Sequence, residues 1–129
     1  MYFPAGTPYV ASKFAVLGLS ENLYHELRAA AEPIGVSVLC PSFVRTNLPL
    51  SERNRPSGVP SMEGSKAWRA HLEANRVRSA QGLDPAGVAE LVVDAVRQDR
   101  FYILPHHDKS VAAARARLAW LTDGIPPAF

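Results

Sequence analysis

The sequence is short of several features, and each shortage excludes a class of protein. It has a single cysteine, Cys40, so neither an internal disulfide framework nor a cysteine zinc site can form. Its net charge is only +2, from 14 basic and 12 acidic residues, which is too little for a module that binds nucleic acid by neutralising phosphates. No apolar run approaches the roughly 20 residues that cross a bilayer, and the N-terminus lacks the basic start and apolar stretch of a signal peptide. One cysteine also fits a reducing, cytoplasmic setting.

The remaining composition is that of one ordinary folded domain. The chain has 129 residues, of which 47% are hydrophobic and 20% are charged. This balance is typical of globular proteins and excludes a wholly disordered chain. We therefore expect residues 1–129 to belong to one domain.

The N-terminal part of the chain predicts one long helix over residues 8–31. Thr7 and Pro8 are typical of a helix start, with Thr as the capping residue and Pro in the first turn. Apolar side chains then recur with a period of about 3.6 residues. The run Pro33-Ile34-Gly35 is a stop signal.

Two short apolar runs predict strands at residues 36–40 and 101–104. The first is rich in β-branched residues and is bounded by Gly35 and Pro41, which is typical of a strand buried in a parallel sheet. Between the strands we expect an irregular, proline-rich stretch and then two helices. The expected segments after residue 40 are a loop over 41–61, helices over 61–80 and 84–98, and a C-terminal helix over 111–121.

The order of these segments indicates an α/β fold. Strands separated by helices form parallel sheets with right-handed crossovers. Two short strands, however, are fewer than a complete sheet contains, and about four helices accompany them. The pattern predicts the C-terminal half of a doubly wound parallel sheet.

Tyr9 and Lys13 are the first candidate functional residues. Four positions apart on a helix, they lie on the same face one turn apart. A free phenol has a pKa of about 10, and a nearby ammonium favours its ionised form. Such a tyrosine can exchange a proton with a carbonyl or hydroxyl oxygen. By itself the pair is a weak signal, and such a spacing is more often an exposed tyrosine beside a solvated lysine.

The segment Pro41–Thr46 is the second candidate, because it follows the first strand directly. In open parallel sheets, ligands bind beyond the carboxyl ends of the strands. A loop at that edge can turn backbone N–H and C=O groups toward a planar amide, and the Thr46 hydroxyl can bond a phosphate or an amide. A plain turn after a strand has the same composition.

Together the two elements resemble the short-chain dehydrogenase/reductase family. A Tyr-x-x-x-Lys motif opens a long helix, a short buried strand follows, and a Pro-x-x-Val-x-Thr motif comes next. The run Tyr9–Glu21 is similar throughout to the catalytic helix of that family. The resemblance is close over residues 9–48 and looser over residues 84–105. It implies a Rossmann-like fold and an NAD- or NADP-dependent oxidoreductase that interconverts an alcohol and a ketone.

The resemblance also implies roles for individual residues. Tyr9 would be the proton donor and acceptor, and Lys13 would bind the nicotinamide ribose and lower the pKa of Tyr9. Pro41, Val44 and Thr46 would face the nicotinamide, with Val44 acting through its backbone.

Residues 41–80 would form the substrate loop and lid over a small-molecule alcohol or ketone. Phe43, Leu48 and Trp68 are candidates for the substrate pocket, with ordinary packing as the alternative. The helix over 8–31 is a candidate contact with a second copy of the chain. No metal site is expected: His106 and His107 are interpreted as surface residues.

The chain departs from the family pattern in four places. It has neither the Thr-Gly-x-x-x-Gly-x-Gly cofactor loop nor the Asn-Ala-Gly segment, and Ser42 stands where a glycine is usual. The catalytic serine of the family would fall before Met1. We therefore expect the chain to be inactive by itself, and the choice between NAD and NADP stays open. A non-catalytic interaction module and a truncated remnant of an enzyme are the alternative interpretations.

Overall fold

The computed structural model describes residues 6–61 and 65–126, apart from the side chain of Ala67. Its elements follow the order helix, strand, helix, helix, strand, helix, with a 3₁₀ segment in the first long loop. The helices and strands are α1 Thr7–Ala29, β1 Val38–Leu39, α2 Lys66–Ala80, α3 Pro85–Arg97, β2 Tyr102–Ile103 and α4 His107–Asp123, and the 3₁₀ segment is Leu48–Asn54.

The chain separates into two compact units. One, here called the sheet unit, runs up to Pro41 and resumes at Leu91. The other, here called the loop unit, is Ser42–Glu90. The assignment of residues 1–129 to one domain stays a prediction.

Helix α1 begins one residue earlier than the sequence predicts. Gly6 occupies the capping position, and the Val10 N–H donates to the Gly6 carbonyl at 2.8 Å. No side chain caps this end, so Thr7 is the first helical residue and not the cap. Pro8 still fits, because the first turn of a helix has no internal acceptors for its N–H groups.

The end of α1 also differs from the predicted residue 31. Ala31 has φ of 55°, a left-handed conformation that ends the helix at Ala29. The Glu32 N–H bonds the Leu27 carbonyl at 3.0 Å, and the Ala31 N–H bonds the Arg28 carbonyl at 3.2 Å. This is a Schellman motif, in which a glycine usually takes the left-handed position.

Helix α3 ends in the same motif. Asp99 has φ of 50°, and the Arg100 N–H bonds the Ala95 carbonyl at 2.9 Å. The Asp99 N–H bonds the Val96 carbonyl at 3.2 Å. Both helices that lead into the two strands therefore end with a residue other than glycine at the left-handed position.

The two strands pair in parallel, in the register Val38 with Tyr102 and Leu39 with Ile103. The ladder is short: the Val38 N–H donates to the Phe101 carbonyl and the Cys40 N–H to the Ile103 carbonyl. The strands predicted at 36–40 and 101–104 are therefore too long. A residue counts as part of a strand where ladder bonds flank it, and these bonds flank two residues on each strand.

The core of the sheet unit is small. Val38, Ala95 and Ile103 are its buried hydrophobic residues among those that the structure describes. Helices α1 and α4 contribute no fully buried residue over their described lengths. Instead, α1 contacts the residue just before β2 through the Tyr24 and Phe101 rings, whose centroids lie 5.1 Å apart.

Three further segment boundaries differ from the prediction. Helix α4 begins at His107 rather than at residue 111, because the Ser110 N–H bonds the His106 carbonyl, and it runs on to a left-handed Gly124. Helix α2 begins at Lys66 rather than at 61, since Ser65 caps it through a bond from the Trp68 N–H. Residues 62–64 of that predicted helix lie outside the described residues.

Two other segments lie close to their predictions. Helix α3 ends at Arg97, one residue before the predicted end at residue 98. Within the loop expected over 41–61, the segment Leu48–Asn54 forms 3₁₀ turns.

Candidate functional site

Tyr9 and Lys13 lie one turn apart at the start of α1, in the sheet unit. The Lys13 Nζ is 5.3 Å from the centroid of the Tyr9 ring, a cation–π distance. Tyr9 is 45% exposed, so a molecule in solution can reach it. The Ser12 hydroxyl donates to the Tyr9 carbonyl at 2.7 Å, within the same turn.

The charges around this pair are positive. The first turn of α1 contains no acidic residue. The N-terminus of a helix carries a partial positive charge, and the Lys13 ammonium adds a full one. An anionic or electron-rich oxygen is therefore stabilised at this end of α1.

Pro41 follows β1 at the exposed edge of the sheet unit. The residue before it, Cys40, closes the ladder and is half-buried. Burial, with a smaller effect from the Glu21 carboxylate, raises the pKa of the Cys40 thiol. The thiol therefore stays protonated near neutral pH and is a poor nucleophile.

Val44 lies in the loop unit, where an isolated parallel bridge pairs it with Leu83. The Arg45 N–H donates to the Leu83 carbonyl at 2.9 Å, and the Leu83 N–H donates to the Phe43 carbonyl at 3.1 Å. In a parallel bridge, the central residue turns its own N–H and C=O away from its partner. The Val44 carbonyl accepts a bond from the Ser79 hydroxyl at 3.1 Å. Within the described residues, the Val44 N–H meets no acceptor.

Thr46 lies two residues further along the same turn and is exposed. Its hydroxyl oxygen accepts a long bond from the Leu48 N–H, at 3.4 Å. A threonine hydroxyl that accepts still has its own proton to donate. The turn therefore offers two donors, the Val44 amide and the Thr46 hydroxyl.

The three residues predicted to bind substrate lie in separate parts of the loop unit. Phe43 is half-buried with the Arg78 guanidinium 5.8 Å from its ring centroid. Leu48 is 64% exposed at the start of the 3₁₀ segment. Trp68 is half-buried on α2, with its ring centroid 5.9 Å from that of His71. Two of the three thus have a packing partner, and a pocket shared by all three stays a prediction.

Two clefts in the sheet unit do not include Tyr9 or Lys13. One, of about 380 Å³, is lined mainly by apolar residues of β1, α3 and β2. The other, of about 540 Å³, lies between α1 and β2. The candidate site on α1 is therefore an exposed surface and not one of these clefts.

No group of three or more metal-ligating side chains occurs among the residues that the structure describes. His107 Nδ1 lies 3.1 Å from the Asp108 carboxylate at the start of α4. Across residues 6–61 and 65–126, no helix combines the length and apolar character that crossing a membrane requires.

Sequence patterns do not indicate the residues that hold the Phe43–Thr46 turn. Ser79 is 7% exposed, and its partner Val44 lies 35 positions away. The Arg45 guanidinium pairs with the Asp84 carboxylate at 2.5 Å. Nothing in the local pattern of either segment signals these contacts, although the helix predicted over 84–98 begins at Asp84.

The comparisons with known proteins point to one family. The family model described as short chain dehydrogenase matches residues 1–56. A dehydrogenase/reductase of CLA biosynthesis from Lactiplantibacillus plantarum is 30% identical over 127 residues, which is 95% of this chain and 44% of that protein. An uncharacterized oxidoreductase from Schizosaccharomyces pombe is 30% identical over 101 residues, covering 77% of this chain and 34% of the relative.

A solved structure is also similar. It is a short-chain dehydrogenase/reductase from Burkholderia phymatum in complex with NAD, with a TM-score of 0.85 and 35% sequence identity. The match covers 94% of this chain and 43% of that protein. The fold is therefore part of a Rossmann-type α/β fold, which confirms the predicted class. The chain belongs to the short-chain dehydrogenase/reductase family, and it spans less than half the length of the relatives it matches.

Proposed function

We propose that this chain carries the proton-transfer and nicotinamide-facing part of an oxidoreductase that interconverts an alcohol and a ketone. One observation carries the proposal: the Lys13 ammonium lies against the ring of an exposed Tyr9 at the positive end of α1. This end of the helix favours negative charge on an oxygen, as proton exchange with a substrate oxygen requires.

Tyr9 is the proton donor and acceptor in this proposal. Its hydroxyl donates a proton to a carbonyl oxygen in reduction and accepts the hydroxyl proton of an alcohol in oxidation. Lys13 has three N–H donors and no acceptor, so it suits the hydroxyl groups of a ribose. Its ammonium also lies against the Tyr9 ring, beside the oxygen that exchanges the proton.

The donors in the loop unit suit the carboxamide of NAD or NADP. The Val44 N–H is a donor turned away from its bridge partner, and Thr46 has a hydroxyl proton to donate. Pro41 would contribute an apolar contact at the ring. When bound, the nicotinamide supplies the hydride chemistry, while these residues orient it. The Burkholderia phymatum relative, solved with NAD, supports this assignment.

The substrate is a small alcohol or ketone, and residues 41–80 are the proposed substrate loop. Phe43, Leu48 and Trp68 supply apolar and aromatic surface in that segment. The sequence contains no glycine-rich loop for a pyrophosphate. We therefore expect no hydride transfer by the purified 129-residue chain. A cytoplasmic location also stays a prediction.

The test uses nicotinamide mononucleotide, which carries the nicotinamide ribose without the adenosine half of the cofactor. Titration of the ¹⁵N-labelled chain should shift amide signals near Tyr9, Lys13 and Val44. Lys13→Met should weaken binding roughly threefold to tenfold, because a charged donor is lost. Lys66→Met, on α2, is the matched control. An absence of specific shifts at millimolar ligand would contradict the proposal.

A second candidate function, contact with another copy of the chain, is favoured by the surface of α1. Within Thr7–Ala29 no residue is buried, and Val16 and Leu19 are 54% and 68% exposed. A homo-oligomer through this helix would cover such side chains. Sedimentation equilibrium would show a dimer that Leu19→Glu disrupts, whereas a strict monomer would exclude this function.

A further inference from the structure

The Phe43–Thr46 turn is held from three sides by residues that follow it by more than thirty positions. A buried hydroxyl bonds its carbonyl, a glycine packs against its backbone, and an aspartate pairs with its arginine. All of these contacts lie within the loop unit.

Ser79 is the first of these contacts. It lies in the last turn of α2, where a serine hydroxyl usually bonds a carbonyl of its own helix. Here the hydroxyl donates to the Val44 carbonyl at 3.1 Å instead. Among the residues that the structure describes, Ser79 is the polar residue that is buried, at 7% exposure. The bond therefore fixes which way the Val44 peptide groups face.

Gly82 is the second contact. A Cβ at this position would lie 2.7 Å from the Phe43 carbonyl oxygen and 2.9 Å from the Val44 carbonyl carbon. Both neighbours are backbone atoms, so neither can move without displacing the turn. The absence of a side chain at Gly82 is what allows the Val44–Leu83 bridge to close.

The third contact is the ion pair between Arg45 and Asp84. The Asp84 carboxylate accepts from Arg45 at 2.5 Å through one oxygen and from the Ala86 N–H at 3.2 Å through the other. The second bond caps α3, so the carboxylate is held by the helix start. Both side chains are more than half exposed, so the ion pair adds little to stability. Its main effect is to orient the turn.

We propose that Ser79, Gly82 and Asp84 are positioning residues that set the Val44 amide as the donor for a carboxamide. The proposal rests on the proposed function, because it assumes that a nicotinamide faces this turn. The Ser79 hydroxyl takes one lone pair of the Val44 carbonyl and holds that group toward α2, so the N–H is the donor that Val44 presents to a ligand. The turn then selects a ring that bears an acceptor oxygen.

The experiment compares two ligands on the 129-residue chain. One is nicotinamide mononucleotide, and the other is the pyridinium ribonucleotide that lacks the carboxamide. The wild-type chain should prefer the first by about fivefold, as expected for one or two hydrogen bonds. Ser79→Ala should reduce that preference by about threefold, and Ser79→Thr, which keeps a hydroxyl, should retain more of it. Ser20→Ala is the matched control, because its hydroxyl bonds the Val16 carbonyl of its own helix.

A loss of affinity alone would not distinguish positioning from general loosening, whereas the ratio between the two ligands does. Equal weakening of both ligands in Ser79→Ala would overturn the positioning role. Arg45→Gln, at an exposed site, gives a second test if Ser79→Ala folds poorly, and it too should lower the ratio. An unchanged ratio in both variants would also overturn the inference while leaving the proposed function intact. If neither ligand binds the wild-type chain, the proposed function fails and this inference fails with it.

Discussion

Arg28 and Asp99 lie 71 positions apart in the sequence and form an ion pair of 2.6 Å. Arg28 is in the last turn of α1, and Asp99 is the left-handed residue that ends α3. The two helices lead into β1 and β2, so the pair joins the chain just before both parallel strands begin. In an open parallel sheet, ligands bind beyond the carboxyl ends of the strands, whereas this pair lies at their amino ends. The pair therefore stabilises the sheet unit and lies away from the proposed chemistry.

Breaking this pair should affect stability and not ligand binding. Both side chains are more than half exposed, so Arg28→Met should lower the free energy of unfolding by at most about 1 kcal/mol. Urea denaturation measures the loss, and a double-mutant cycle with Asp99→Asn isolates the pair. A change in affinity for nicotinamide mononucleotide would contradict the separation between this edge and the site.

Ala31→Gly should stabilise the chain. Ala31 is left-handed at φ of 55°, a conformation that costs a residue with a Cβ roughly 1–2 kcal/mol and costs glycine little. Because glycine also gains freedom in the unfolded chain, the net stabilisation should be about 0.5–1 kcal/mol. The matched control is Ala29→Gly, at the last helical residue, which should destabilise instead. Thermal denaturation of both variants gives the comparison, and a lower Tm for Ala31→Gly would be the opposite of what the Schellman motif predicts.

Tyr102 should ionise at a higher pH than an ordinary tyrosine. Its hydroxyl donates to the Glu21 carboxylate at 2.5 Å, and this bond, with some burial, raises its pKa to about 12. The ordinary pKa of the unfolded chain is about 10. The bond therefore stabilises the fold fully below about pH 10, and the stabilisation disappears as the pH rises through about 12. NMR titration of the tyrosine rings measures the pKa directly.

The controls for this titration replace each member of the pair in turn. Glu21→Gln should bring the pKa of Tyr102 back toward its ordinary value, since the acceptor loses its charge. Tyr102→Phe should remove the late transition. A Tyr102 transition near pH 10 in the wild-type chain would show that the Glu21 bond does not form.

Protonation of Glu52 should loosen the loop that follows the 3₁₀ segment. Arg55 donates to both of its carboxylate oxygens, and the Ser61 hydroxyl donates to one of them, which lowers the pKa of Glu52. The contribution to folding is present above the ordinary glutamate pKa of about 4.3 and is lost as the pH falls through the lowered value. The protection of the amides in residues 55–61 against exchange, relative to the intrinsic rate at the same pH, should fall below pH 4. Arg55→Met should move that loss of protection to higher pH, and protection that is insensitive to pH would contradict the network.

The sequence predicted those features that depend on neighbouring residues. Tyr9 and Lys13 face one another because a helix places residues four apart on one side. The helix predicted over 84–98 begins at Asp84, whose carboxylate accepts a bond from the Ala86 N–H in the first turn of α3. The Pro41–Thr46 segment was identified because it follows a strand, which is also a local relation.

The features that the sequence did not predict depend on tertiary contacts. The Ser79 hydroxyl could equally have bonded its own helix, and its bond to Val44 exists because the two segments are packed together. The end of α1 was placed at residue 31 because Pro33-Ile34-Gly35 is the stop signal in the sequence, and no glycine at position 31 signals the left-handed turn. The strands were predicted too long because the apolar run shows which residues suit a strand and not how many find a partner.

Cys40 gives the chain a chemical reporter for the opening of its sheet. It is the single cysteine of the sequence, and its N–H forms a ladder bond to Ile103. Because burial raises the pKa of its thiol, the folded chain should react slowly with disulfide reagents at neutral pH. Separation of β1 from β2 would free both the backbone bond and the thiol, so the rate of labelling measures how often the two strands part.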